Sequence, residues 1–352
     1  MTGAALVMEA ANRPGSEIIH VLDNDSGNYI ESRAPDFYIR MDGKDYHLRL
    51  PLDVPRRLTA HWRMARRLLR TDKANAVFVD HGRAVVLLYM GAIYRWAPGQ
   101  HEAVQVGTLR QCRNVLHQAV AVVDGADIYF GEYGSNGGRA AVPVWASRDG
   151  GRSWNVVYEF PAGTIKHIHG VYADPFTDDL WVATGDFENE CFLLRADRGF
   201  ERVERFGDGT QAWRTVALLF ERERISWVMD SQLERSYLHH MDRATGALTR
   251  GQGFPGPVWY AKTLDDGVSL VQTTCEEGPG VQTNAAHLFA SRDNDTWIEV
   301  ARFEKDALPM HYFKSGIIGF ADGRQTSRRF AMFGEALRGL EGRAAICSLQ
   351  WT

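Results

Sequence analysis

From Ala76 to the C-terminal end the chain runs in short apolar segments separated by glycine, proline and aspartate. Segments 115–123, 168–172, 216–220 and 317–320 are clear openings, and 128–130, 180–183 and 225–228 follow as second runs. Bounded by turn formers, runs of this kind predict strands of about five residues. Six units result, at 76–107, 112–160, 165–207, 210–254, 256–305 and 309–352. The last is one strand short, and the apolar run 17–22 is expected to complete its sheet and close a ring, because closure removes open sheet edges. Segment 37–50, with Asp42-Gly43 between two strand-like runs, reads as an extra hairpin.

Only 55–72 departs from this pattern. There Leu58, Trp62, Ala65, Leu68 and Leu69 share one helical face, while Arg56, Arg63, Arg66, Arg67 and Arg70 fall on others. A short N-terminal helical insertion is expected, docked by its apolar face with the arginines in solvent. Weak peripheral contact with an anionic membrane surface is the alternative.

The punctuation carries its own information. Residues 147–154 read Ser-Arg-Asp-Gly-Gly-Arg-Ser-Trp. Ser147 and Asp149 can bond to nearby backbone N–H groups, Gly150 and Gly151 allow positive φ, and Trp154 returns as an apolar anchor. A second copy, Ser291-Arg292-Asp293-Asn294-Asp295-Thr296-Trp297, is one residue shorter and has Asp295 where a glycine would stand. With Asp197 and Asp242 between them, turn-forming aspartates recur roughly every 45 to 51 residues, the period of a four-stranded propeller blade. The chain is therefore expected to be all-β, a single β-propeller of six four-stranded blades (seven being the alternative), with 17–50 closing the ring, 55–72 inserted and the blades spanning 76–352.

Composition excludes several roles. With 352 residues, 45% of them hydrophobic, the chain can bury a large core, and a net charge of −4 offers no basic field for nucleic acid. Cys112, Cys191, Cys275 and Cys347 show no metal-ligand spacing, so reduced thiols and a cytoplasmic setting are expected. Residues 1–17 lack a basic stretch followed by a solid apolar run, and no run of 18 apolar residues occurs, so neither export nor a membrane span is expected.

Propeller topology gathers two sets of loops on one face: those leading into each innermost strand and those joining strands two and three. The first set supplies Arg113, Asn114 and His117, then His167 and His169, Trp213 and Arg214, Trp259, Tyr260 and Lys262, and finally His311, Tyr312 and Lys314. The second supplies Glu132 and Tyr133, Asp186, Glu188 and Glu190, Asp230 and Glu234, Glu276 and Glu277, and Glu335. Charged groups at positions where apolar ones would pack are expensive unless partnered, so their recurrence in successive blades predicts a ligand site. Glu132, His167, His169, Asp186, Glu190, Arg214, Asp230 and Glu276 are expected around one cavity, with Trp213, Trp259, Tyr133 and Tyr260 available to stack on sugar rings and Arg113, His117 and Lys262 to bind substrate. His167 and His169 lie on one strand face, about 7 Å apart at Cα. That spacing admits a divalent metal with Glu132 or Asp186 as third ligand, but without a further ligand cluster no metal and no cofactor are expected.

The 147–154 string resembles the Asp-box (BNR) repeat, Ser-x-Asp-x-Gly-x-Ser/Thr-Trp, matching it at every fixed position. This resemblance to sialidase-like propellers implies glycan chemistry. Sialidases use a tyrosine paired with a glutamate, an aspartate acid/base and three arginines; here the segment Phe37-Tyr38-Ile39-Arg40-Met41 is only faintly similar to the family's Phe/Tyr-Arg-Ile-Pro, and Arg40, Arg113 and Arg214 form no triad in sequence. The expected function is cleavage of glycosidic bonds in a poly- or oligosaccharide, an acidic one by the abundance of cationic side chains. Glu132, Tyr133, His169, Asp186, Glu190, Asp230 and Glu276 are the catalytic candidates. The alternatives are a lyase acting on a uronate through His, Tyr and Arg, and a non-catalytic glycan-binding or assembly propeller. No oligomeric state follows from the sequence.

Overall fold

The computed structural model describes residues 3–10, 15–53 and 62–351. Seven antiparallel four-stranded sheets follow one another around a central channel. Their innermost strands are Glu17–Val21, Asn75–Val79, Val120–Val123, His167–Ala173, Leu219–Phe220, Val258–Thr263 and Ile317–Phe320. The fold is thus a seven-bladed β-propeller, not a six-bladed one. The six units from residue 76 onward each form a sheet. The seventh is the first blade, Glu17–Val21, Tyr29–Arg33, Asp36–Met41 and Lys44–Arg49, in which the expected extra hairpin supplies strands three and four.

The ring is closed by a different segment from the one expected. Ala4–Ala10 pairs antiparallel with Ala344–Trp351, Ala4 opposite Trp351 and Ala10 opposite Ala345, and becomes the outermost strand of the last blade. Glu17–Val21 is instead an innermost strand. Its Ile18, Ile19 and His20 are all buried, whereas Val7, Met8 and Glu9 are exposed, as an outer strand requires.

Separate apolar clusters pack within and between the blades, with Phe37, Tyr89, Phe130, Trp181, Trp227, Phe254 and Phe320 fully enclosed. The aspartate turns lie between third and fourth strands, at the end of the ring away from the loops into the innermost strands. Asp149 accepts bonds from the Ser147 hydroxyl (2.8 Å), the Arg152 and Ser153 N–H groups (2.9 and 3.0 Å) and the Ser153 hydroxyl (2.7 Å). Burial works against ionisation there, but these bonds hold the Asp149 carboxyl at about 2. Gly151 takes φ +83°, and a Cβ there would collide with Val86. In the shorter copy Asn294 adopts the positive φ (59°), and Asp295 turns outward to Arg224 at 2.8 Å.

The helical insertion is inverted relative to expectation. Residues 54–61, including Arg56 and Leu58, lie outside those described; the helix spans Arg63–Leu69 and packs on a short helix, Met310–Phe313. Its buried residues are Arg66 and Arg67, while Trp62 (71%), Met64, Leu68 and Leu69 are exposed. Ion pairing decides this. Arg67 reaches Asp306 at 3.2 Å, Glu341 at 3.1 Å and the Phe313 carbonyl at 2.7 Å, and Arg63 reaches Glu341 at 2.7 Å. Arg66 and Arg67 are thus turned inward, while Arg70 stays exposed. No described helix is long and apolar enough to cross a membrane.

Candidate functional site

His167 begins the innermost strand of the fourth blade, Asp186 follows that blade's second strand, and Arg214 precedes the next blade's inner strand. Antiparallel pairing puts all three at one end of the channel. A register shift between Ile168 and Gly170 marks a bulge in the inner strand, and the His167 and His169 rings lie 5.1 Å apart. Gly185, just before Asp186, leaves necessary room: a Cβ there would come within 2.7 Å of His169 Cε1 and 3.2 Å of Arg214 Cγ.

Asp186 is the hub. Its Oδ1 faces His169 Nε2 at 3.1 Å, His167 Nε2 at 3.4 Å and an Arg214 terminal nitrogen at 3.3 Å, while Oδ2 accepts from Lys166 Nζ at 2.6 Å. Two cations, Lys166 and Arg214, thus counter the Asp186 carboxylate, and the two imidazoles face it. Tyr133 covers the pair, its ring 4.1 Å from that of His167; burial, with Asp186 and Asp230 adding, pushes its hydroxyl well up.

On the far side of Arg214 stands Asp230, buried, with Oδ2 3.4 Å from Arg214 Nε and Oδ1 without a hydrogen-bond partner. Burial raises its carboxyl to about 7; Arg214 opposes the shift and Glu276 reinforces it. Glu276, half-buried, accepts from the Thr274 hydroxyl at 3.2 Å and from the Trp259 side chain; burial raises it against the pull of Arg214. One carboxylate is thus fixed as an anion while two others, sharing one guanidinium, hold protons more tightly than ordinary acids.

Other predicted residues lie elsewhere or serve packing. Glu132 does not face the mouth: its oxygens accept from the Arg110 and Gln111 N–H groups (both 2.7 Å) and the Trp145 indole (2.9 Å), stapling two loops. Glu190 pairs with Arg139 at 2.7 Å and accepts the Lys166 N–H. Trp213 is buried against Trp227, and Tyr260 is enclosed edge-on to His117, so neither offers a face to a sugar. His117 is wedged in the channel between Asn75 and the Phe320 carbonyl, where burial lowers its pKa. Lys262, near the end of its strand, reaches the Gly323 carbonyl at the opposite end of the channel, beside Asp322 and His20. Arg113 is exposed. The residues brought together at the mouth are therefore Tyr133, His167, His169, Asp186, Arg214, Trp259, Asp230 and Glu276.

Sequence reasoning named Lys314 and Glu335 but missed Lys166 and the other members of a second buried group on the other side of the mouth. There Lys314 bonds to Glu335 (2.6 Å) and Asp72 (2.8 Å), with Glu17 and Lys73 close by. Burial opposes it, but Lys314 holds Glu335 at about 2. Lys166 adjoins the His-x-His pair, which was a usable signal; Glu17 and Lys73 depended on the first blade being recognised. A separate cavity of about 620 Å³ opens between the last and first blades, lined by Glu9, Asp23, Tyr29, Arg40, Asp45 and Arg329, and includes none of these residues.

Neither a protein-family model nor a curated protein matches the chain. Solved propellers do. A catalytically inactive histidine-to-alanine variant of virginiamycin B lyase from Staphylococcus aureus with quinupristin superposes with a TM-score of 0.59 at 11% identity, over 98% of this chain and 99% of that one. YCF48 from Cyanidioschyzon merolae gives 0.58 at 11% identity over 98% and 99%, and U3-55K gives 0.59 at 9% over 98% of each. At such identity the likeness establishes the β-propeller fold, which is shared by proteins of unrelated roles.

Proposed function

We propose that the protein is a carbohydrate-active enzyme that cleaves glycosidic bonds of an acidic poly- or oligosaccharide at this mouth. The observation that carries the reading is Asp230, a buried carboxyl held at about 7 between Arg214 and Glu276. A group poised there donates and recovers a proton at neutral pH. Asp230 is the acid and Glu276 the base or nucleophile. Asp186, with both oxygens engaged, organises charge instead of attacking. Lys166 and Arg214 meet the sugar's carboxylate, and Tyr133 and Trp259 offer the aromatic faces. The four cysteines, all unpaired, suit a cytoplasmic setting.

The test is a screen of acidic and neutral oligosaccharides for new reducing ends, with Asp230→Asn as control. Loss of one acid should lower kcat by roughly 10²- to 10⁴-fold. Equal turnover by the variant, or no cleavage across the screen, would sink the proposal.

A uronate lyase is the second reading, favoured by the His167–His169 pair beside two cations and compatible with a fold that virginiamycin B lyase also uses. Unsaturated products absorbing in the ultraviolet would select it over hydrolysis.

A further inference from the structure

We infer that His167, His169 and Asp186 form a binding site for a divalent transition cation, of which Zn²⁺ is the best match. Backbone contacts fix which ring nitrogens carry protons. His167 Nδ1 lies 2.8 Å from the Gly134 carbonyl and His169 Nδ1 2.7 Å from the Thr215 carbonyl. A carbonyl oxygen only accepts, so both Nδ1 atoms carry hydrogen, and in a neutral ring each Nε2 presents its lone pair. Both lone pairs aim at Asp186 Oδ1, which belongs to a carboxylate already countered by Lys166. Three electron-rich atoms thus face one another within 4.8 Å in a buried place, and His167 Nε2 has no hydrogen-bond partner. Such a triangle repels itself unless positive charge enters it. Two extra protons would do so by placing two imidazolium ions beside Lys166 and Arg214. One dication supplies the same charge and binds both lone pairs at once.

Dimensions and surroundings agree. Zinc bonds of about 2.0–2.1 Å imply ligand-to-ligand edges of roughly 3.3 Å in a tetrahedron; the two nitrogen-to-oxygen separations are 3.1 and 3.4 Å. Backbone carbonyls bonded to the remote ring nitrogens are the usual device for orienting metal-binding histidines. Two imidazoles and a carboxylate suit zinc more than the all-oxygen sites of calcium or magnesium. Three protein ligands are the number that zinc sites with a non-protein fourth ligand supply.

The site stands independently of the glycan reading, and its test needs no substrate. Chelator-treated protein is titrated with ZnCl₂ by calorimetry near pH 7.5, and Co²⁺ is used as a visible-spectrum probe. One equivalent per chain is expected, with a Co²⁺ d–d band, and at least about tenfold weaker binding in His167→Gln and in His169→Gln. Glutamine keeps a donor for the backbone carbonyl, and an unchanged melting temperature in the absence of metal verifies folding. Absence of binding to the native chain, or equal affinity in both variants, overturns the inference. Either result leaves the role of Asp230 untouched, since that is read from turnover.

Discussion

Arg214 Nε lies 3.4 Å from Asp230 Oδ2, yet the Asp230 carboxyl sits at about 7 rather than at an ordinary 3.8. Burial, with Glu276 adding, outweighs the guanidinium because Arg214 also serves Asp186. A raised carboxyl binds its proton more tightly in the folded than in the unfolded chain. Its stabilising contribution is therefore complete below about 4 and is lost as pH rises through about 7. Asp230→Asn should consequently gain stability relative to the native chain as pH rises from 4 to 8. Thermal melts across that range give the comparison; parallel curves would show that Asp230 is an ordinary acid. Activity that requires protonated Asp230 should decline on the alkaline side of about 7.

The Asp-box turn offers a test in which folding and chemistry separate. Asp149→Ala removes an acceptor of four bonds and should cost about 1–3 kcal/mol. The turn lies at the end of the ring opposite the mouth, so zinc binding and turnover per folded molecule should stay at native values. Denaturant titration measures the loss. A fall in zinc affinity comparable to that of the histidine variants would show that the two faces are coupled.

Much of this arrangement was legible in the sequence because blade register is a local property. The aspartates at 149, 197, 242 and 293 all form turns after third strands, and with that register known Asp186, Asp230 and Glu276 fell at the mouth. What register does not give is side-chain direction or distance along a strand. Trp213 turns into the core, Lys262 lies several residues down its strand and so emerges at the other end, and Glu132 finds two backbone N–H groups before it reaches the channel. The count of blades failed at the N-terminus, where Ala4–Ala10 carries no turn signal and its partner, Ala344–Trp351, lies at the far end of the chain.

The inverted helix shows how counter-charges override a hydrophobic pattern. Arg67, 4% exposed, answers both Asp306 and Glu341. Arg67→Ala would take one counter-charge from Asp306, which keeps Lys305, and from Glu341, which keeps Arg63, and a loss of about 1–3 kcal/mol is expected. Leu68→Ser, on the exposed face of the same helix, should change stability by no more than about 0.5 kcal/mol. Paired chemical denaturation curves give both numbers. If the serine variant were the more damaging, the apolar face would be the buried one after all.

Ring closure rests on the pairing of Ala4–Ala10 with Ala344–Trp351, seven residues in register. Without it the last blade presents an open edge that can pair with another chain. A protein lacking residues 1–14 should therefore melt several degrees lower, at roughly 2–4 °C per kcal/mol for a large domain, and form higher oligomers in size-exclusion chromatography. Adding the peptide AALVMEA, the missing strand itself, should restore both the melting temperature and the native elution volume. Restoration by a scrambled peptide of the same composition would point to general masking of apolar surface. A truncated chain as stable as the native one would mean that the inter-blade core closes the ring without this strand.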